Sequence, residues 1–185
     1  MSQRLLLIAA TMCMCRAQSG AAGEPITVQL KTVPAKTFLT HRQPIKTLDD
    51  VGPIEWTIVP RMKKLLKTLG YDPIPPIEFH VSFEGDNILD LDVARNAARW
   101  LEIAAAVNTP PEDPGKFQIS HSGQYKCLSL AFKGSPLDSG EHWAKLYQEA
   151  KIRKFIASGE NREIGLIRDG YDTATYVTEL QLGVK

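Results

Sequence analysis

Eight residues near the middle of the chain, Asn108-Thr109-Pro110-Pro111-Glu112-Asp113-Pro114-Gly115, hold three prolines and a glycine. Neither a helix nor a strand runs through such a segment, because proline lacks the N–H that both need and fixes φ. The run reads as a connector. The 185 residues then make one compact domain built of two similar halves. At 43% hydrophobic residues the chain can bury a core of useful size. Its 22 Lys and Arg stand against 21 Asp and Glu, so it lacks the basic excess that phosphate contacts require, and nucleic acid is not an expected partner.

The first residues change that balance. Arg4 precedes the uninterrupted apolar run Leu5 to Cys15, which is followed by Arg16 and the small, polar stretch Ala17 to Gly23. Charged, apolar and small-residue regions in this order predict a secretory signal peptide over 1–22, with a periplasmic or secreted product. Eleven apolar residues fall short of the ~20 that span a bilayer, so no membrane contact is expected after cleavage. The alternatives are a disordered or docked N-terminus of a cytosolic protein, or a lipoprotein using Cys13 or Cys15, which Met12 and Met14 disfavour where small residues are wanted. Removal of 1–22 leaves 20 basic against 21 acidic side chains and one cysteine, Cys127. Flanked by Leu128, Leu130 and Ala131, Cys127 reads as a buried small hydrophobe rather than a nucleophile.

The body alternates strands and helices. Ile26 to Lys31 and Lys36 to His41 read as extended, split by Val33-Pro34. Pro53 to Leu69 reads as a helix with Trp56, Val59, Met62, Leu65, Leu66 and Leu69 on one face, Gly70 ending it, and Pro60 acceptable only in the first turn. Ile77 to Phe83 and Ile88 to Val93 predict a hairpin, with Asp90 and Asp92 on its solvent face and no calcium-loop pattern. Trp100 to Val107 is a further strand. After the connector come a strand at Phe117 to His121 and a helical piece around Tyr125 to Phe132. A helix opened by Asp138 follows, with Trp143, Leu146, Tyr147 and Ala150 together. Arg162 to Arg168 and Tyr171 to Val184 close the chain as a hairpin around Asp169-Gly170.

The halves match in order. Leu39-Thr40-His41 aligns in type with Ile119-Ser120-His121, and Ile45 to Leu48 with Tyr125 to Leu128; each half then runs helix, Glu-led strand (Glu78, Glu163), turn, strand. Repeats of about 26–108 and 116–184 predict an α+β fold: a duplicated β-α-β-β unit with pseudo-twofold symmetry and a cleft between the units.

Residues His121-Ser122-Gly123-Gln124-Tyr125, a Trp-bearing helix, Asn161-Arg162-Glu163-Ile164 and Thr178-Glu179-Leu180-Gln181-Leu182 resemble the GyrI-like (gyrase-inhibitor-like) family. Its effector-binding domains also occur attached to AraC-type and MerR-type regulators. Thr32 to Ala35 and Leu69-Gly70 fit the same pattern more loosely, so the resemblance spans 26–184. It implies a small-molecule cleft between the repeats. In drug-sensing members an acidic residue of the penultimate strand sits among aromatics and binds lipophilic cations, and Glu163 matches that position. A carboxylate alone in an apolar cleft is costly, so a cationic guest neutralises it, helped by cation–π contacts of about 0.5–2 kcal/mol. The candidate ligand residues are Glu163, Tyr125, Trp100, Phe79, Trp56 and Tyr147. The bland alternative pairs Glu163 with Arg162 or Arg168 at the surface.

Other family members are hydrolases of strained, cyclopropane-bearing toxins. The Tyr that many members carry two residues after the Glu is Gly165 here, which counts against catalysis unless Tyr125, Tyr147 or Tyr176 substitutes. Neither a nucleophile elbow nor a phosphate-cradling loop nor paired zinc histidines occur. Ordinary positions explain His41, His80, His121 and His142 better than haem ligation does, so no metal or cofactor is expected. No stretch of the sequence is left for a helix-turn-helix. The expectation is an exported, stand-alone binder of a small organic molecule, lipophilic or cationic, with a hydrolase of reactive small molecules as the alternative and an interaction domain third.

Overall fold

The computed structural model describes residues 27–85, 87–167 and 173–185. The leader-like segment and the tip of the closing hairpin at Asp169-Gly170 lie outside them. Eight strands form one antiparallel sheet: β1 (Gln29–Val33), β2 (Lys36–Pro44), β3 (Ile77–Phe83), β4 (Ala98–Ala106), β5 (Gln118–Ser122), β6 (Tyr125–Lys133), β7 (Ala157–Ile167) and β8 (Val177–Val184). Three helices join them: α1 (Val51–Thr68), α2 (Leu91–Ala97) and α3 (Ser139–Ile152). The fold is therefore α+β, as the alternation of patterns predicts.

The strand order is β1-β6-β8-β7-β3-β4-β2-β5, which reads the same from both edges when β1 is matched to β5, β2 to β6, β3 to β7 and β4 to β8. Each half lends its first strand to the far edge of the other, and β3 against β7 forms the centre. Each half thus runs β-β-α-β-β: the expected β-α-β-β unit preceded by an exchanged edge strand.

The exchange dictates the shape of the sheet. Only Pro34 and Ala35 separate β1 from β2, yet six strand spacings lie between their places in the order. On a flat sheet that is roughly 28 Å, whereas three peptide links reach about 11 Å. Gly123 and Gln124 join β5 to β6 under the same constraint. The sheet must curl until its two edges meet at the end where both links lie.

All three helices cover one side. Ile58, Met62 and Leu66 of α1 pack on Leu39, Ile77, Phe79, Leu101, Ile103 and Ala105. Leu146, Tyr147 and Ala150 of α3 pack on Leu128, Leu130, Phe132, Leu180 and Leu182, with Ala94 of α2 in the same cluster. Among the described residues, the other side of the sheet carries no helix.

Several expectations are corrected. Tyr125 to Phe132 is strand, not helix: it lies between β1 and β8, and apolar residues recur on both faces because both are covered. Ile88 to Val93 is not a strand. Asp90 accepts hydrogen bonds from the backbone N–H groups of Asp92 (3.0 Å) and Val93 (3.2 Å), capping α2, so neither aspartate stands on a strand face. Pro60 sits inside α1 rather than in its first turn; Trp56, whose carbonyl loses the Pro60 N–H, shares its exposed side, where water replaces the partner. No side-chain cap from Asp138 opens α3. The expected alignment of the halves is also shifted, since Leu39 is the ladder partner, not the counterpart, of Ile119 across β2 and β5. Matching Lys36 with Tyr125, each the first residue after its link, and following the ladders sets Leu39-Thr40 on Leu128-Ser129. It also sets Glu102, Ile103, Ala105 and Val107 on Glu179, Leu180, Leu182 and Val184, and Glu78 on Arg162.

Candidate functional site

Side chains alternate across each strand, so the residues between the core positions line the helix-free face. On β3 these are Glu78, His80 and Ser82; on β7, Glu160, Arg162 and Ile164; on β8, Glu179 and Gln181. The curl makes this face a trough. A cleft of about 340 Å³ opens in it, lined by Lys31 to Pro34, Lys36, Pro76, Glu78 and Ala106 of the first half and by Ile164, Leu166, Glu179 and Gln181 of the second.

Glu78 is the least exposed carboxylate among the described residues, 2% exposed. Lys36 Nζ donates to its Oε1 at 2.9 Å, and His80 Nε2 lies 3.0 Å from its Oε2. The other ring nitrogen of His80 faces Glu102 Oε1 at 3.5 Å. Burial alone would raise Glu78, but its bonds to His80 and Lys36 hold it below the usual glutamate value. Burial would likewise depress His80; hydrogen bonding to Glu102 and Glu78 outweighs it and raises the imidazole. His80 thus lies between two carboxylates that favour its protonated form, with the Phe38 ring edge-on at 5.2 Å.

Across the cleft Lys31 pairs with Glu179, which also accepts from Ser129 Oγ and from Gln181 Nε2 at 3.0 Å. Beneath them Arg162, 4% exposed, donates through Nε to Glu160 at 2.7 Å and lies 3.8 Å over the Tyr125 ring. The Tyr125 hydroxyl donates to the Glu160 carbonyl at 2.9 Å, and burial pushes its pKa well up. Arg162 Nη1 and Gln181 Oε1, on cross-strand partner residues, are buried without a hydrogen-bond partner.

Of the six candidate ligand residues, the structure brings two to this face. Tyr125 is there beneath Arg162, and Trp100 lies farther out under the Arg42 guanidinium at 4.7 Å. Glu163 is not. Its ladder partners Phe79 and Leu180 both belong to the helix-side cores, so the register puts its side chain on the covered side, half-buried. Phe79 packs in that core, and Tyr147 lies in the α3 core accepting from Asn161 Nδ2 at 2.8 Å. Trp56 is 83% exposed on α1, turned away from the face it was expected to share with Met62. Cys127 is buried on the trough floor, and burial pushes its thiol up to about 11, too high for a nucleophile near neutrality. Among the described residues no group of three His, Cys, Asp or Glu is placed to hold a metal ion.

The sequence reading missed Lys31, Lys36, Glu78, His80, Arg162 and Glu179. Their signal is polar residues at alternate positions of strands whose intervening residues are core. It becomes readable only when the exchanged links show that the second face is also enclosed.

No family model matches the chain, and no curated protein matches it. Solved structures do. The EcmrR C-terminal domain aligns with TM-score 0.65 and 16% identity over 87% of this chain and 98% of that one. SAV2435 bound to tetraphenylphosphonium aligns with TM-score 0.59 and 15% identity, covering 86% and 94%. A hydrolase from Listeria innocua aligns with TM-score 0.52 and 16% identity, covering 85% and 91%. The chain has the fold of the GyrI-like effector-binding domains.

Proposed function

We propose that this protein binds a small organic molecule in the cleft between its two halves. The observation that carries the reading is the cleft itself: about 340 Å³, within the range of small-molecule sites, with Val33, Pro34, Pro76, Ala106, Ile164 and Leu166 supplying apolar walls around two ion pairs. The bound tetraphenylphosphonium in the structural neighbour SAV2435 supports a ligand-binding role. Of the two ligand characters suggested by the resemblance, the apolar walls favour a lipophilic body. A cationic one finds no lone carboxylate, since Glu78 and Glu179 each already hold an ammonium. The leader-like segment 1–22 adds the proposal that the mature protein works after export, in the periplasm or outside the cell. An intact N-terminus at Met1 on protein recovered from the natural host would overturn that part.

The binding reading is tested by a thermal-shift screen of the full chain with neutral aromatics, lipophilic cations and organic anions. The expected result is a rise in melting temperature with at least one class that grows with concentration. No response to any class sinks the reading. The structural neighbours called hydrolases favour one second test: turnover of strained or ester-bearing compounds that is lost in Glu78→Gln would replace binding with catalysis.

A further inference from the structure

The cleft's charges are layered, and the layering says which ligand it takes. Both carboxylates lie at the back, with side chains 3% (Glu78) and 12% (Glu179) exposed, while the side chains of the lysines paired with them, Lys36 and Lys31, are 31% and 36% exposed. Both carboxylates are also already engaged. Glu78 accepts from Lys36 and His80, and Glu179 from Lys31, Ser129 and Gln181. Each lysine, by contrast, has three N–H donors and gives one to its carboxylate. Deeper in the trough one donor, Arg162 Nη1, and one acceptor, Gln181 Oε1, are both without a partner, so that layer favours neither charge. Pro34 and Pro76, which flank the opening, add carbonyl groups but no backbone N–H. A guest therefore meets the more exposed lysines first, in front of carboxylates that already hold an ammonium.

We propose that the ligand is an amphipathic organic anion, its charged head between Lys31 and Lys36 and its apolar body on Pro76, Ala106, Ile164 and Leu166. This rests on the cleft being a ligand site and reverses the charge preference that the family resemblance implies. The head adds a third partner to two existing ion pairs. The bound state keeps Glu78 and Glu179 paired, and no buried charge is left uncompensated. The apolar body supplies the affinity and the ammoniums supply the selection.

The test uses three probes with one ring system and different heads: 2-naphthoate, 2-naphthylmethanol and 2-naphthylmethylammonium. Each is titrated into the full chain by calorimetry at low and at moderate salt. Naphthoate is expected to bind at least about tenfold tighter than the alcohol and the ammonium, with the margin shrinking as salt screens the lysines. Lys31→Gln is expected to bring naphthoate to within about threefold of the alcohol, whose own affinity stays put. Lys36→Met uncovers Glu78 and is expected to shift preference toward the ammonium. Circular dichroism establishes that each variant is folded, and Lys31→Gln, at the more exposed lysine, carries the test if Lys36→Met is not. Ammonium binding as tight as naphthoate binding in the wild type overturns the anion proposal and leaves the cleft reading standing. Equal binding of all three heads, unaffected by Lys31→Gln, also overturns it. Failure of every probe and of the wider screen removes the cleft reading itself.

Discussion

At the scale of single residues, the trough is held by ionised groups whose protonation folding alters, and pH resolves them. The His80 pKa is raised in the folded state, so its contribution is fully present below its ordinary value of 6.5 and is lost as pH rises through the raised value. Glu78, Glu102 and Glu179 are lowered, so theirs is present above about 4.5 and is lost as pH falls. Stability is therefore expected to peak between these limits. Urea midpoints measured from pH 4 to pH 9 are expected to show the alkaline decline in the wild type but not in His80→Gln, while both keep the acid decline. Parallel curves above neutrality would contradict the His80 assignment. Gly183 is a second single-residue constraint. A Cβ there would lie 2.7 Å from the Glu160 carbonyl and 2.9 Å from the Tyr125 hydroxyl, where β7 bulges over β8. Gly183→Ala is expected to cost about 1–3 kcal/mol in chemical denaturation.

At the scale of elements, what the sequence discloses depends on how many faces an element buries. α1, β2, β3 and β4 are legible because one apolar stripe or a steady alternation marks them, and Gly70 ends α1 in a Schellman turn with the Tyr71 N–H on the Leu66 carbonyl at 3.0 Å. β6 is not legible, because a strand enclosed on both faces loses its alternation, and the apolar residues then mimic a short helix. α2 is hidden for another reason: Leu89, Leu91 and Val93 alternate like a strand, and Asp90 outweighs that pattern locally by capping the next turn. Asp90→Ala is accordingly expected to lose about 0.5–2 kcal/mol. α3 ends in the same Schellman geometry as α1, but its left-handed residue is Lys154, at φ +59°. Lys154→Gly relieves a β-carbon clash that Gly70 never has. It is expected to raise stability by about 0.5–1 kcal/mol, read as a higher urea midpoint at unchanged slope. Site residues follow the same logic. Glu163 is conspicuous as a motif, yet strand register decides which side of the sheet it faces, and a motif carries no register.

At the scale of the whole molecule, two short links do most of the shaping. Because Pro34-Ala35 and Gly123-Gln124 tie opposite edges together, the sheet curls, and the helix-free face becomes a trough to which both halves contribute. The two units have diverged most inside that trough. Lys36 and Glu78 of the first unit stand where the second has Tyr125 and Arg162, so an ion pair in one matches a cation on an aromatic ring in the other. The helix-side cores keep apolar residues at matched places, such as Ile103 with Leu180 and Ala105 with Leu182. Symmetry thus builds the scaffold, and asymmetry furnishes the cleft. The most direct measurement is a calorimetric titration of the tightest compound from the screen into wild type and Leu166→Trp, which adds an indole to the cleft wall at an exposed position that is not a ladder partner of Glu78 or Glu179. The expected result is an affinity at least about tenfold lower in a variant whose melting temperature stays within about 4 °C of wild type. Undiminished affinity in that folded variant would show that the ligand binds elsewhere and would contradict the account.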